Sequence, residues 1–215
     1  MAGAPPASEL CAITWPLHAA ASCAWLTSSA NTFNDAHIAT VGCDFHLLQI
    51  EHKGQPITLH LWDLAGQDRF GVLYRAFYSG ALAAIVMADL KRPSTLENAA
   101  KWKAELDSKT IQPDGSGAIP ALLLVNKLDL VPDFDADAVA DFARSHGFAG
   151  WLACSAKDGT NVAEAMAAIG KIILKNPAAI AAQQSAKAAR DADADVIALQ
   201  GGGDRSQAGA SSGCC

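Results

Sequence analysis

No glycine occurs between Gly3 and Gly42, and no Lys or Arg precedes Lys53. A loop that wraps phosphate with backbone N–H groups and a lysine needs both residue types, so none lies in the first 40 residues. The missing basic residues also leave the apolar stretch 10–26 without the charged start of a secretory signal. That stretch is itself interrupted by Thr14, Pro16, His18 and Ser22, which argues against a membrane span. Positive charge is scarce throughout: the net charge is −6, so no overall field attracts nucleic acid, and nucleic-acid binding is not expected as a function. The six cysteines (Cys11, Cys23, Cys43, Cys154, Cys214 and Cys215) include no pair at zinc-site spacing. A chain of this size needs no disulfide framework, and a reducing compartment is expected.

Apolar residues, at 51% of 215, are enough for one buried core plus some extension. Strand-like runs are expected at 44–50 and 57–63, joined by the turn residues Lys53-Gly54-Gln55, and buried strands at 82–89, 121–126 and 152–155. Segment 10–14 is a candidate first strand within an otherwise unassigned stretch, 1–30. Helices are expected at 95–108 behind Ser94 as N-cap, at 136–145 ending at Gly147, and at 161–175 stopping before Pro177. The Ala-rich run 178–199 can form a further helix, and the Gly/Ser-rich run 200–213 reads as a flexible linker. Alternation of strands and helices implies an α/β fold, a mostly parallel sheet with one antiparallel edge pair and helices on both faces.

Three loops at expected strand ends carry chemistry. Asn126-Lys127-Leu128-Asp129 follows the strand 121–126, where open α/β sheets bind ligands. The Asp129 carboxylate can accept the N1 and N2 hydrogens of guanine, a donor pair that adenine lacks. The Asn126 amide can reach the base N7 or tie loops together, and the Lys127 stem can lie along the base. The bland reading is a solvated turn. Ser155-Ala156-Lys157 follows the next strand, and a backbone N–H there can meet the base O6; the alternative is an ordinary strand-to-helix turn. The third element is Trp62-Asp63-Leu64-Ala65-Gly66-Gln67-Asp68-Arg69-Phe70. Asp63 can hold a magnesium-bound water, Gly66 can bring its N–H against a terminal phosphate, and Gln67 can orient an attacking water.

With these motifs in this order, and with Ala39-Thr40-Val41-Gly42-Cys43-Asp44-Phe45 before them, the chain resembles the small GTPases of the Rab family from about residue 31 to 175. The segment Gly147-Phe148-Ala149-Gly150-Trp151, with Phe45-His46-Leu47, is most similar to the Rab subgroup serving lysosome-related organelles. The resemblance implies a P-loop-NTPase-like fold with a six-stranded sheet, and a GTP/GDP switch whose mobile loops answer to the γ-phosphate and Mg²⁺. It implies that Thr40 ligates Mg²⁺ and that Phe45, Trp62 and Phe77 form an effector-facing aromatic triad. Phe77 lacks the hydroxyl that the family usually carries there, and the alternative for these aromatics is core packing. Trp25, Trp102 and Trp151 are expected to be structural. The ending Gly213-Cys214-Cys215 resembles the Rab double-cysteine terminus, geranylgeranylated on both thiols, two chains being what stable anchoring needs. Effectors, an exchange factor and a GTPase-activating protein are the implied partners. The cytoplasmic face of endomembranes, with a cytosolic pool, is the implied location.

Counting back in family register puts the phosphate loop at Trp15–Ser22, read as Trp-Pro-Leu-His-Ala-Ala-Ala-Ser. Only Ser22 keeps its chemistry, as a magnesium ligand. Gly170-Lys171 is followed by Ile172, late in an expected helix, and does not substitute. Losing the lysine and two or three amide contacts costs about 5–10 kcal/mol, roughly 10⁴- to 10⁷-fold in affinity. The expected layout is an atypical segment 1–30, a GTPase domain 31–176 and a flexible tail 177–215. Three readings stand: a working Rab-type GTPase; a prenylated, non-catalytic interaction module on the same fold; and a GTPase in which 1–30 is mistranslated in place of a true phosphate loop.

Overall fold

A computed structural model describes residues 9–15, 43–52, 55–64 and 80–201. Among them, six strands form one sheet: β1 (Glu9–Trp15), β2 (Cys43–His52), β3 (Gln55–Leu64), β4 (Ala83–Asp89), β5 (Ala121–Asn126) and β6 (Gly150–Ala153). Their order is β2-β3-β1-β4-β5-β6. Every neighbouring pair is parallel except the edge hairpin β2/β3. The helices are α1 (Ser94–Lys109), α2 (Ala136–Ser145), α3 (Val162–Ile173) and α4 (Pro177–Gly201), with a 3-10 turn at Leu128–Leu130.

The central strands are apolar on both faces because helices cover both. Side chains alternate across a strand, and this splits β4 and β5 between two cores. Ile85, Met87, Leu122 and Leu124 join Met166, Ile169 and Ile173 of α3 on one face. Ala84, Val86, Leu123 and Val125 join Ala99 and Leu106 of α1 and Val139 and Ala143 of α2 on the other. Helix α2 begins where Asp135 accepts the Ala138 N–H at 2.9 Å. It is followed by Gly147 at φ +70°, a left-handed position that suits glycine.

Ser94 is not a side-chain cap. It is the first residue of α1, and the cap position is Pro93, which makes no capping bond. The turn into α1 is built instead by Thr95, whose Oγ1 accepts the Asp89 N–H at 2.8 Å and lies 2.6 Å from the Arg92 carbonyl.

Two segments assigned outside the domain by composition contribute to its core. Leu10 and Ala12 of β1 are fully buried, and β1 pairs with both β3 and β4 at the centre of the sheet. The candidate first strand at 10–14 is present as β1, between β3 and β4. The Ala-rich run expected as a further helix at 178–199 is α4, with Ala179 and Ile180 packed into the α3-side core. Compact units divide the chain at 183/184, and the described part of the second unit is the rest of α4, to Gly201. Among the described residues no single helix is long and apolar enough to cross a membrane.

Helix α3 lies close over β2 at Gly170, where an added Cβ would meet Ile50 Cδ1 at less than contact distance. One methyl can swing away from alanine, but a branched side chain forces a larger shift. Gly170→Val is expected to lower stability by about 1–3 kcal/mol, read as a lower denaturation midpoint. An unchanged midpoint would show that the helix can lift off β2 at little cost.

Candidate functional site

The sheet order reverses around β1, and ligands of open α/β sheets bind at the carboxyl ends of strands beside such a point. The rim there carries Trp15 of β1, Asp63 of β3, Asp89 of β4, Asn126 of β5 and the turn after β6. Register sets them in two steps: Thr14 pairs with Asp63 and with Ile85, and four residues further along β4 Asp89 pairs with Asn126.

Six of the expected site residues come together on this rim. Asn126 is buried, and its Oδ1 accepts two backbone N–H groups, from Lys127 at 2.7 Å and from Ala156 at 3.0 Å. This oxygen ties the β5 loop to the β6 loop; a base N7 accepts hydrogen bonds, so contact with it falls to the Nδ2 group. The fully buried Ser155 donates its hydroxyl to Asp129 Oδ1 at 2.8 Å, so the exposed carboxylate is aimed by a neighbouring loop. A second strap runs from the Leu128 N–H to the Cys154 carbonyl at 3.0 Å. Asn161 closes the β6 loop by donating from Nδ2 to the Ala153 carbonyl at 2.8 Å.

The amides expected to meet the base O6 are engaged to different degrees. The Ser155 N–H binds the Thr160 carbonyl at 2.9 Å and the Ala156 N–H binds Asn126. The Lys157 N–H makes only a long contact of 3.3 Å, to Ser155 Oγ, and is the amide of the three best placed to exchange partners.

Lys127 occupies a left-handed backbone position, φ 72° and ψ 37°, unusual for a residue with a Cβ. Its Nζ sits 2.8 Å from Asp89 Oδ2. Asp89 is the residue that sequence reasoning missed. Its side chain is fully buried, and it also receives Arg92 Nε at 2.9 Å and the Lys91 N–H at 2.9 Å. Burial alone would raise its pKa; the hydrogen bonds from Lys127, the Lys91 amide and Arg92 outweigh that and hold it below its ordinary value. The available signal was a carboxylate closing an apolar strand at the ligand-binding edge.

Asp63 is buried at the end of β3. Among the described residues no three His, Cys, Asp or Glu side chains gather to hold a metal by themselves. Phe45 and Trp62 are cross-strand partners with ring centroids 5.0 Å apart, and His60 meets the Phe45 ring edge-on at 5.4 Å. Phe45 is exposed and Trp62 half-buried, so this pair lies on the outer face of the hairpin. Trp102 and Trp151 pack against the core on the α1/α2 side. Ser22, Thr40, Gly66, Gln67, Phe77, Cys214 and Cys215 lie outside the described residues, as do Trp25 and the stretch 16–22. Cys154 and Cys43 form no disulfide. Burial pushes the Cys154 thiol up to about 12.

A six-stranded sheet in this order, with N-K-x-D and S-A-K loops side by side on its carboxyl rim, defines a Ras-like small GTPase domain. A family model described as the Ras family matches residues 19–175. The chain belongs to that family, and its curated relatives place it among the Rab-like small GTPases. It is 44% identical over 147 residues to human Ras-related protein Rab-32, covering 67% of this chain and 65% of that protein. It is 40% identical over 145 residues to Rab-32B of Dictyostelium discoideum, covering 66% and 55%. Against human Rab-7L1 it is 37% identical over 150 residues, covering 69% and 73%. The chain thus spans 65% of the length of human Rab-32 and 55% of that of Rab-32B, both under two thirds.

Proposed function

We propose that this chain is a guanine-nucleotide-binding switch of the Rab type, acting in intracellular vesicle traffic. The observation that carries the reading is the bond from buried Ser155 to Asp129, with Asn126 tying the two loops together. A solvated turn needs no such support; a carboxylate that must meet two N–H groups of one base does. Family membership supports GTP and GDP as ligands and effectors, an exchange factor and a GTPase-activating protein as partners. It gives no support to the non-catalytic module.

Around that base site the remaining roles follow the family pattern. Thr40, Asp63 and Ser22 are the candidates for holding magnesium, directly or through water. When bound, the ion neutralises charge on the phosphates. In that pattern Gly66 would bring its N–H to the terminal phosphate and Gln67 would orient the attacking water. Turnover also needs positive charge on the β and γ oxygens, which no residue at 15–22 supplies in family register. The affinity of this chain is therefore base-led and its unassisted hydrolysis slow. Phe45, Trp62 and Phe77 form the effector face. Geranylgeranyl groups on Cys214 and Cys215 anchor the protein to the cytoplasmic face of endomembranes, and the likeness of 147–151 and 45–47 to the Rab subgroup of lysosome-related organelles supports that compartment.

The test is titration of the purified chain with fluorescent guanine and adenine nucleotides, with and without magnesium. Saturable guanine-selective binding at micromolar protein is expected. Its absence would refute the nucleotide-switch reading for this chain.

A further inference from the structure

Two carboxylates are buried among the described residues, Asp63 and Asp89. Asp63 has a place in the magnesium reading; Asp89 has none in anything above. We propose that Asp89 is a positioning residue of the guanine-base site, acting through Lys127: its carboxylate pins the lysine ammonium and so holds the aliphatic stem in place as a wall for the base. The inference rests on the base-binding reading.

The geometry argues for a clamp rather than a chance ion pair. Asp89 cannot move. Its N–H is held by Thr95 Oγ1 at 2.8 Å, its carbonyl accepts the Arg92 N–H at 2.9 Å, and the adjoining Leu90 N–H binds the Asn126 carbonyl at 3.0 Å. Lys127 is fixed at its other end as well, by its left-handed turn and by the bond from its N–H to Asn126 Oδ1. With Nζ at 2.8 Å from Asp89 Oδ2, both ends of a long side chain are tied, yet about a third of that side chain stays exposed on the rim. A solvated lysine loses more rotamer freedom on meeting a ligand than any short residue does. A lysine tied at both ends has already lost it when the base arrives. Arg92, on the same carboxylate oxygen, keeps the buried charge compensated whenever Lys127 shifts.

The experiment uses the full chain with Asp89→Asn, Lys127→Met and the double variant. Guanosine diphosphate affinity is measured by titration, and acylation of lysine amines in the nucleotide-free protein by mass spectrometry. Each single variant is expected to bind about tenfold more weakly, and the double variant no more weakly than Lys127→Met alone. In Asp89→Asn, Lys127 should acylate several-fold faster, while exposed Lys101 is unchanged. Additive losses in the double variant, or unchanged Lys127 acylation in folded Asp89→Asn, would overturn the proposal. If Asp89→Asn does not fold, the wild-type chain decides: Lys127 should acylate several-fold more slowly than Lys101, and equal rates would reject the clamp. A wild-type chain that binds no guanine nucleotide defeats the base-binding reading, while the acylation comparison still reports on the clamp itself.

Discussion

Asp129→Asn is expected to weaken guanine-nucleotide binding by roughly 10²- to 10⁴-fold, the loss of two charge-assisted hydrogen bonds of about 1.5–3 kcal/mol each. The same change should raise the preference for xanthine nucleotides. Xanthine carries a carbonyl where guanine carries the 2-amino group, and the Asn amide can donate to that oxygen where a carboxylate repels it. Ser155 still donates to the remaining side-chain oxygen, as it does to Asp129 Oδ1 at 2.8 Å, so the new amide stays aimed. Asp129 is exposed and outside the core, so the denaturation midpoint of the empty protein should stay within about 0.5 kcal/mol of wild type. Competition titrations with guanosine, xanthosine and adenosine diphosphates read the result. An unchanged order of preference would remove Asp129 from base recognition.

Asn126→Ala is expected to act through stability first. The buried side-chain oxygen serves two backbone N–H groups, those of Lys127 and Ala156. Alanine removes both bonds and leaves the amide of buried Ala156 without an acceptor. An unmet buried donor costs about 1–3 kcal/mol and the second bond about 1 kcal/mol, so a total of roughly 2–4 kcal/mol is expected. Denaturant unfolding measures it. Guanine binding should fall even where the variant is still folded, because the β5 and β6 loops are no longer held in register. The two variants thus separate two roles on one rim. Asp129→Asn changes what is bound and spares stability, whereas Asn126→Ala changes stability and abolishes the site with it. A midpoint for Asn126→Ala equal to wild type would show that the loops are held by other contacts.

Much of the fold was legible in the chain because local chemistry and tertiary role agreed. The strand Ala83–Asp89 is apolar up to its closing aspartate, which only a doubly covered strand tolerates, and it is buried along its whole length. The alternating exposure along β2 follows from its place at the sheet edge. Disagreement arose where a tertiary partner took over a local task. Ser94 has the chemistry of a cap, but Thr95 and Asp89 organise that turn because the β4 carboxyl end lies beside it. The strand β1 carries no strong alternation, since a central strand flanked by β3 and β4 needs only small and apolar residues. The helix α4 was legible as an Ala-rich run, but its packing was not, because the run is weakly amphipathic. Its first turns are held by Asn176, which accepts the Ala179 N–H at 3.1 Å, and by Gln183, which donates to the Gly80 carbonyl at 2.5 Å.

Of the site, the residue types and their order along the chain were determined by the sequence alone: a carboxylate, an amide and a lysine after one strand, and a serine turn after the next. Those types limit the chemistry, because a carboxylate accepts the N1 and N2 hydrogens of guanine, a donor pair that adenine lacks. Which atoms serve the ligand and which serve the frame was decided by the tertiary structure. Ser155 and Asp129 are 26 residues apart, Asn126 and Ala156 are 30 apart, and parallel pairing of β5 with β6 brings each pair within hydrogen-bonding distance. The tie from Lys127 to Asp89 has the same origin, in the pairing of β4 with β5. A hydrogen bond depends on tenths of an ångström, and that separation is set by how strands align and pack, not by spacing along the chain.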